Sequence, residues 1–243
     1  MRLPAPLVLA CLAVLSAGCG HAPGYPPAPV MRPSQALDFA TLYSQNCAAC
    51  HGANGQNGPA MDLANPEYQA LVDDATLRKW ISGGMPGTEM PAFAQSAGGM
   101  LTDAQVNAII AGMRARWRQA NVFAGETPPP YAPTQTGDAR GGEQTYKARC
   151  SACHASSHQQ ITSLDYLALV GNQALRSIII AGRPDIGQPD WSHLGPGGKA
   201  APPLSTQDVN NIVAYLASLR SPTPTQTAEN LPVQPAPATP QGR

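Results

Sequence analysis

Two copies of one five-residue pattern constrain this 243-residue chain more than anything else in it: Cys47-Ala48-Ala49-Cys50-His51 and Cys150-Ser151-Ala152-Cys153-His154. C-x-x-C-H is the signature of covalent haem c attachment. The two thiols add to the haem vinyl groups, and the adjacent His offers a ring nitrogen to iron. A zinc or redox pair is the rival reading of C-x-x-C alone. Two copies, each followed at once by His, in a chain that opens with an export signal, favour haem. The cysteine count then closes. Of the six, Cys11 falls in the export signal, Cys19 follows it, and four belong to the motifs. None remains for a disulfide, despite the oxidising compartment.

The export signal is residues 1–18, with Arg2 as the positive start, an apolar run from Leu7 to Leu15, and small Ser16, Ala17 and Gly18. Leu15-Ser16-Ala17-Gly18-Cys19 resembles a bacterial lipobox, departing from it in Ser16, where Leu is usual. The resemblance implies that Cys19 becomes the lipidated first residue of the mature protein. Ordinary cleavage, leaving Cys19 as a thiol, is the alternative. Gly20 rather than Asp after the cysteine resembles lipoproteins sent to the outer membrane. Residues 19–33 are therefore expected to be a lipidated cysteine with a Pro-rich tether.

Composition narrows the body. Charged residues are 12% and aromatics 5%, while Pro (26) and Gly (23) are abundant, which favours small helical units over one large sheet. Lys+Arg and Asp+Glu balance at 15 each, without the basic footprint of a nucleic-acid binder. Nor does any uninterrupted apolar run reach the length of a membrane span.

The two copies align beyond their cysteines. Tyr43 and Tyr146 each sit four before the first motif cysteine; Tyr68–Val72 parallels Tyr166–Val170; Leu101–Asn107 parallels Leu204–Asn210. This is a tandem duplication. Each copy reads as three helices. Residues 34–46 and 139–150 lead into the motifs. Asp74 and Asn172 are expected to cap second helices that end at Gly84 and Gly182. Thr102 with Gln105, and Ser205 with Asp208, read as capping pairs for the last helices. Val106, Ile109, Ile110, Met113 and Trp117 recur at helical spacing, as do Val209, Ile212, Val213, Leu216 and Leu219. No strand pattern is present. The expected organisation is a first domain over 34–123, a Pro-rich linker over 124–136, a second domain over 137–220, and a disordered tail over 221–243.

The order helix, C-x-x-C-H, loop, helix, Met-Pro loop, helix resembles class I cytochromes c, of the type found in di-haem cytochromes and oxidase haem subunits. The resemblance covers 34–121 and 137–220. It implies an all-α fold of two tandem domains, each holding one covalent haem c, with His51 and His154 as axial ligands. It also implies that the Pro59 carbonyl accepts a hydrogen bond from the His51 ring. Met90, in Met90-Pro91-Ala92-Phe93, looks like the family's distal ligand, with Met85 the alternative. Met61 and Met100 read as packing or loop residues.

The second copy departs from this pattern. Met85 aligns with Arg183, Met90 with Gln188 and Phe93 with Trp191, and no Met follows Met113. Three arrangements are open for its sixth position: His193, in a 192–203 loop five residues longer than 94–100; Gln188 as a weak or non-bonding neighbour; or an open site. His158, four residues from His154, is a poorer candidate. Met/His ligation raises a haem's potential relative to His/His, so electrons are expected to run from the second domain to the first.

The expected function is a lipid-tethered di-haem electron carrier on the periplasmic side of a bacterial membrane, with protein redox partners. The alternatives are a haem enzyme or gas-binding protein using an open second iron, or a haem subunit of a dehydrogenase or oxidase. Arg114, Arg116 and Arg118 read as charge complementing a helix C-terminus, with a docking patch as a secondary reading.

Overall fold

The computed structural model describes residues 31–155, 160–193 and 201–220. The signal, Cys19 and most of the tether, His158 and the tail lie outside the described residues. The chain divides into a unit ending at Ala36 and a unit from Leu37 onward. The described part of the first is a single 3-10 turn, Pro33–Gln35, with the Arg32 N–H donating to Gln35 Oε1 at 3.0 Å.

The second unit is all-α and holds both copies. The first copy comprises α1 (Phe39–Asn46), α2 (Ala48–His51), α3 (Pro66–Leu71), α4 (Asp74–Gly83) and α5 (Asp103–Trp117). The second repeats it as α6 (Ala139–Arg149), α7 (Ser151–His154), α8 (Leu164–Leu169), α9 (Asn172–Ala181) and α10 (Thr206–Ser218). Among the described residues there is no strand, only isolated bridges such as Ala94 with Leu101. No described helix is long and apolar enough to cross a membrane.

The helix ends follow local chemistry. Thr102 with Gln105 and Ser205 with Asp208 form complete capping boxes, each side chain accepting from or reaching back to the other's backbone. The middle helices are capped one residue earlier than expected, at Asp73 and Gly171. Asp73 is extended and its carboxylate accepts from the Thr76 N–H at 2.7 Å. Asp74 and Asn172 are the acceptors of two arginines instead.

Those arginines also account for α3 and α8, which hydrophobic periodicity does not reveal because each is six residues long. Such a short helix leaves most of its carbonyls without a partner. Arg114 reaches from α5 to the carbonyls of Gln69 and Val72 and to Asp74 Oδ1. Arg220, just past α10, reaches the carbonyls of Leu167 and Val170 and Asn172 Oδ1. The acceptors are equivalent in the two copies, while the arginines stand one helical turn apart in the alignment. Arg114 thus serves another helix's C-terminus, with its side chain 12% exposed. Arg116 lies over the Phe39 ring, 4.9 Å from its centroid.

First and last helices of each copy pack closely. A Cβ at Gly112 of α5 would stand 2.2 Å from the Phe39 ring of α1. In the second copy the glycine is on the other helix: a Cβ at Gly142 of α6 would stand 1.9 Å from the Asn211 carbonyl and 2.9 Å from Tyr215 Cβ. Each crossing therefore has one aromatic and one glycine, with the roles exchanged. Trp117 meets both Phe39 and Tyr43 edge to face around the first crossing.

The two copies share a buried seam. Ala181 of α9 belongs to the first copy's apolar core, and Leu71 of α3 packs on the second's. Asn65 Nδ2 donates to the Ala181 carbonyl at 2.7 Å. The Pro-rich connection is strapped down along this seam. Arg176, 2% exposed, donates to the carbonyls of Pro130 and Tyr131 and, at 2.6 Å, to Asn210 Oδ1. Trp80 Nε1 donates to the Tyr131 hydroxyl at 2.9 Å.

A methionine in place of Arg176 would remove the donor to the Pro130 carbonyl and to Oδ1 of the buried Asn210, and hydrogen bonds to charged groups contribute about 1.5–3 kcal/mol each. Arg176→Met is expected to destabilise the holoprotein by about 3 kcal/mol in urea unfolding. Arg140→Met, at an exposed position, should leave the midpoint unchanged.

Candidate functional site

In both copies the motif forms a short helical turn directly after a longer helix. Cys47 ends α1 and Cys150 ends α6, and the His51 and His154 amides close onto their carbonyls at 3.0 Å. The turn faces each copy's thiols two ways. Cys47 and Cys150 pack on the two apolar cores, whereas Cys50 and Cys153 are exposed. Burial pushes the Cys47 and Cys150 thiols up to about 11. A thiol–disulfide pair needs the opposite, a cysteine held below its ordinary value. Nor do three or more His, Cys, Asp and Glu side chains converge as a metal-ligand set among the described residues.

His51 is fixed by its far nitrogen. Nδ1 donates to the Met61 carbonyl at 2.7 Å, which leaves Nε2 as the ligating atom. This corrects the expectation that Pro59 supplies the acceptor. The loop turns sharply at Gly52, φ +80°, and the Ala60 N–H returns to the Cys50 carbonyl at 2.9 Å. That closure brings the carbonyl of the following residue, Met61, to the Nδ1 edge of the ring. Tyr43, 3% exposed, anchors the same turn by donating to the Gly52 carbonyl at 2.9 Å. Burial is the main cause that lowers the His51 pKa, the Met61 bond opposes it, and Arg183 lowers it further. The neutral imidazole is the form that ligates a metal ion.

The loop after α4 is a tight hairpin. The Met85 N–H donates to the Met90 carbonyl at 3.1 Å, and the Thr88 hydroxyl accepts from the Met90 N–H at 3.2 Å. Met90 packs on the first core. The second copy keeps this skeleton: Arg183 and Gln188 exchange both backbone bonds at 2.9 Å. Gly84 and Gly182, at φ +72° and +70°, open the two hairpins. A Cβ on either would stand 2.8 Å from backbone atoms across the loop, so only glycine fits. The alignment of Met85 with Arg183 and of Met90 with Gln188 is therefore also structural.

The side chains at these positions differ. The Gln188 amide donates to the Ile178 carbonyl at 3.1 Å, and the residue borders a cleft of about 410 Å³ between the two copies. His193 Nδ1 is 2.8 Å from Asp190 Oδ2, with the His193 side chain 75% exposed. The Asp190 carboxylate raises the His193 pKa.

The residues suit a covalent haem in each copy: two thiols and an imidazole on one helical turn, with the first thiol of each pair packed on an apolar core and, in the first copy, the imidazole oriented by the Met61 carbonyl.

The comparisons agree with this class. Residues 34–111 match the family described as cytochrome c oxidase, cbb3-type, subunit III, and residues 139–220 match the family described as cytochrome c. The dihydro-heme d1 dehydrogenase of Pseudomonas aeruginosa is 33% identical over 94 residues, which is 36% of this chain and 18% of that protein. The chain thus spans less than a fifth of that relative. No solved structure gives a significant match. The chain belongs to the class I cytochromes c, as two tandem domains carrying two covalently bound haem c groups.

At Gly52 an alanine Cβ would stand 1.8 Å from the Gln56 carbonyl oxygen, on a backbone of φ +80°. Gly52→Ala is expected to open the loop that holds the Met61 carbonyl and to lower haem attachment in the first domain. Intact mass should then show a one-haem species that the wild type lacks.

Proposed function

We propose that the chain is a lipid-tethered di-haem carrier that passes single electrons between protein redox partners on the periplasmic side of a bacterial membrane. The observation that carries the reading is the pair of complete C-x-x-C-H turns inside one compact unit, joined along the α3–α9 seam. In this reading Cys47, Cys50, Cys150 and Cys153 hold the haems, His51 and His154 are the proximal ligands, and Met90 is the sixth ligand of the first. Met90 is preferred over Met85 because it packs on the core that also receives Cys47. The exposed, Asp190-held ring of His193 favours Gln188 or an open position at the second iron.

The residues' part in transfer is to hold geometry constant. The haem iron supplies the chemistry, gaining and losing one electron. His51 keeps one orientation through Met61, and the Met85–Met90 hairpin is braced by its own backbone bond, so these residues would need little rearrangement at each change of charge. Unequal ligation sets the direction, from second domain to first. The dehydrogenase named among the relatives supports a second reading, in which the same chemistry serves a dehydrogenase partner.

A redox titration followed optically is expected to resolve two one-electron waves. Met90→Ala should abolish the absorption band of Met-ligated ferric haem and move the higher-potential wave downward. A persistent band would assign the ligand to another Met, and equal potentials in the wild type would remove the direction of flow.

The lipid anchor is tested separately. Cys19→Ser is expected to move most haem-stained protein from the membrane fraction to the soluble fraction; unchanged membrane retention would place the anchor elsewhere.

A further inference from the structure

Where the first domain has Met85, the second has Arg183, and that side chain leaves its own hairpin. Arg183 Nη2 donates to the Gly58 carbonyl of the first domain at 3.0 Å. Its Nε and Nη2 also grip Asp185 through Oδ1 and Oδ2, both at 2.8 Å. Asp185 Oδ2 in turn accepts from the Asn57 N–H at 2.8 Å. The side chains are 7% and 0% exposed. Gly58 leaves no slack in this contact: a Cβ there would stand 2.3 Å from the Cys50 carbonyl and 2.5 Å from the Gly52 nitrogen. Asn57 and Gly58 lie within the 52–61 loop that ends at the Met61 carbonyl and so at His51. The other end of α9 reaches the Met85–Met90 hairpin, since a Cβ at Gly171 would stand 3.0 Å from Thr88 Cγ2.

A buried ion pair adds little stability over an apolar pair of the same size, because both charges must be stripped of water. A bidentate pair does fix the position of two opposite charges. We propose that Arg183 and Asp185 are positioning residues for the first haem site, an ion pair supplied by the second domain that holds the His51 loop and sets the potential of that haem.

The charge argument is simple. One electron arriving from a donor lowers the charge beside His51 by one, and its departure to an acceptor restores it. A fixed charge in a water-poor seam weights the two states unequally, far more than it would in solvent. In the intact pair the carboxylate offsets the guanidinium. With Asp185 neutralised, Arg183 keeps only the more weakly coupled Asp62 as an opposing charge, and the added positive balance favours the reduced state. With Arg183 neutralised, Asp185 favours the oxidised state, alongside Asp62, which is 2% exposed in the same seam. Loosening the loop, by contrast, would move both variants in one direction.

The inference rests on the di-haem reading with His51 as ligand, so the test separates the two. Asp185→Asn, Arg183→Gln, Arg183→Lys and the double variant Arg183→Gln/Asp185→Asn are titrated as holoprotein. The wave displaced by Met90→Ala marks the first haem. At that wave, Asp185→Asn is expected to raise the reduced-to-oxidised ratio about tenfold at fixed potential, equivalent to about +59 mV for one electron, and Arg183→Gln to lower it by a similar factor. Arg183→Lys and the double variant should lie between these and close to wild type. Hydrogen exchange at the Asn57 amide should stay slow in Asp185→Asn, which keeps an acceptor oxygen. Shifts of the same sign, no shift, or opposite shifts confined to the second haem would overturn the role of the pair. Wild-type protein carrying fewer than two haems by mass would instead fail the reading beneath it.

Discussion

Each half of this chain must place two thiols and an imidazole on one helical turn against an apolar wall, and most of the fold serves that requirement. The turn sits at the end of α1 or α6, where the preceding helix fixes its direction. The wall is small. Domains of this size bury only a modest share of their surface and depend on an added group to complete the interior. Covalent attachment makes that group part of the chain, so the apolar residues around Cys47 and Cys150 have a permanent partner. Orientation of the first imidazole then comes from one backbone carbonyl, that of Met61, held by a loop of glycines.

The parts of this arrangement that read directly from sequence are those written in local chemistry. Two capping boxes, two helix-ending glycines and a Met-Pro hairpin mirrored by Arg183–Gln188 all depend on residues within ten positions of each other. The correspondence of Met85 with Arg183 needed only the alignment from Tyr166 onward. The failures share a cause as well. Asp73 and Asp74 are equally good caps in isolation; Arg114, forty residues away, decides between them by engaging Asp74. Pro59 and Met61 differ by the path of a glycine-turned loop, which spacing does not encode. The helices α3 and α8 are too short for periodicity, and their stabilising arginines lie in distant parts of the chain. The seam between the copies leaves almost no local mark: Asn65, Arg176 and Arg183 look like ordinary polar surface residues until their partners are known.

That last point changes the meaning of the composition. A chain with few charges and no net charge invites the reading of an inert surface. Several of its cations are instead internal fasteners. Arg114 and Arg220 close helix ends, Arg176 ties down the connection between domains, and Arg183 spans the seam. The guanidinium suits this work because one planar group can satisfy several carbonyls at once.

The exchange of aromatic and glycine at the two helix crossings bears on how a duplicated chain avoids pairing with itself. Tandem repeats risk joining the first helix of one copy to the last helix of the other. Here α1 against α10 would set Phe39 against Tyr215, two rings where the spacing admits one. The other mismatch, α6 against α5, would set Gly142 against Gly112 and leave an empty gap. Both errors are costly, one by collision and one by a void. Duplication gave the two halves the same plan, and this reciprocal change lets each first helix recognise its own last helix.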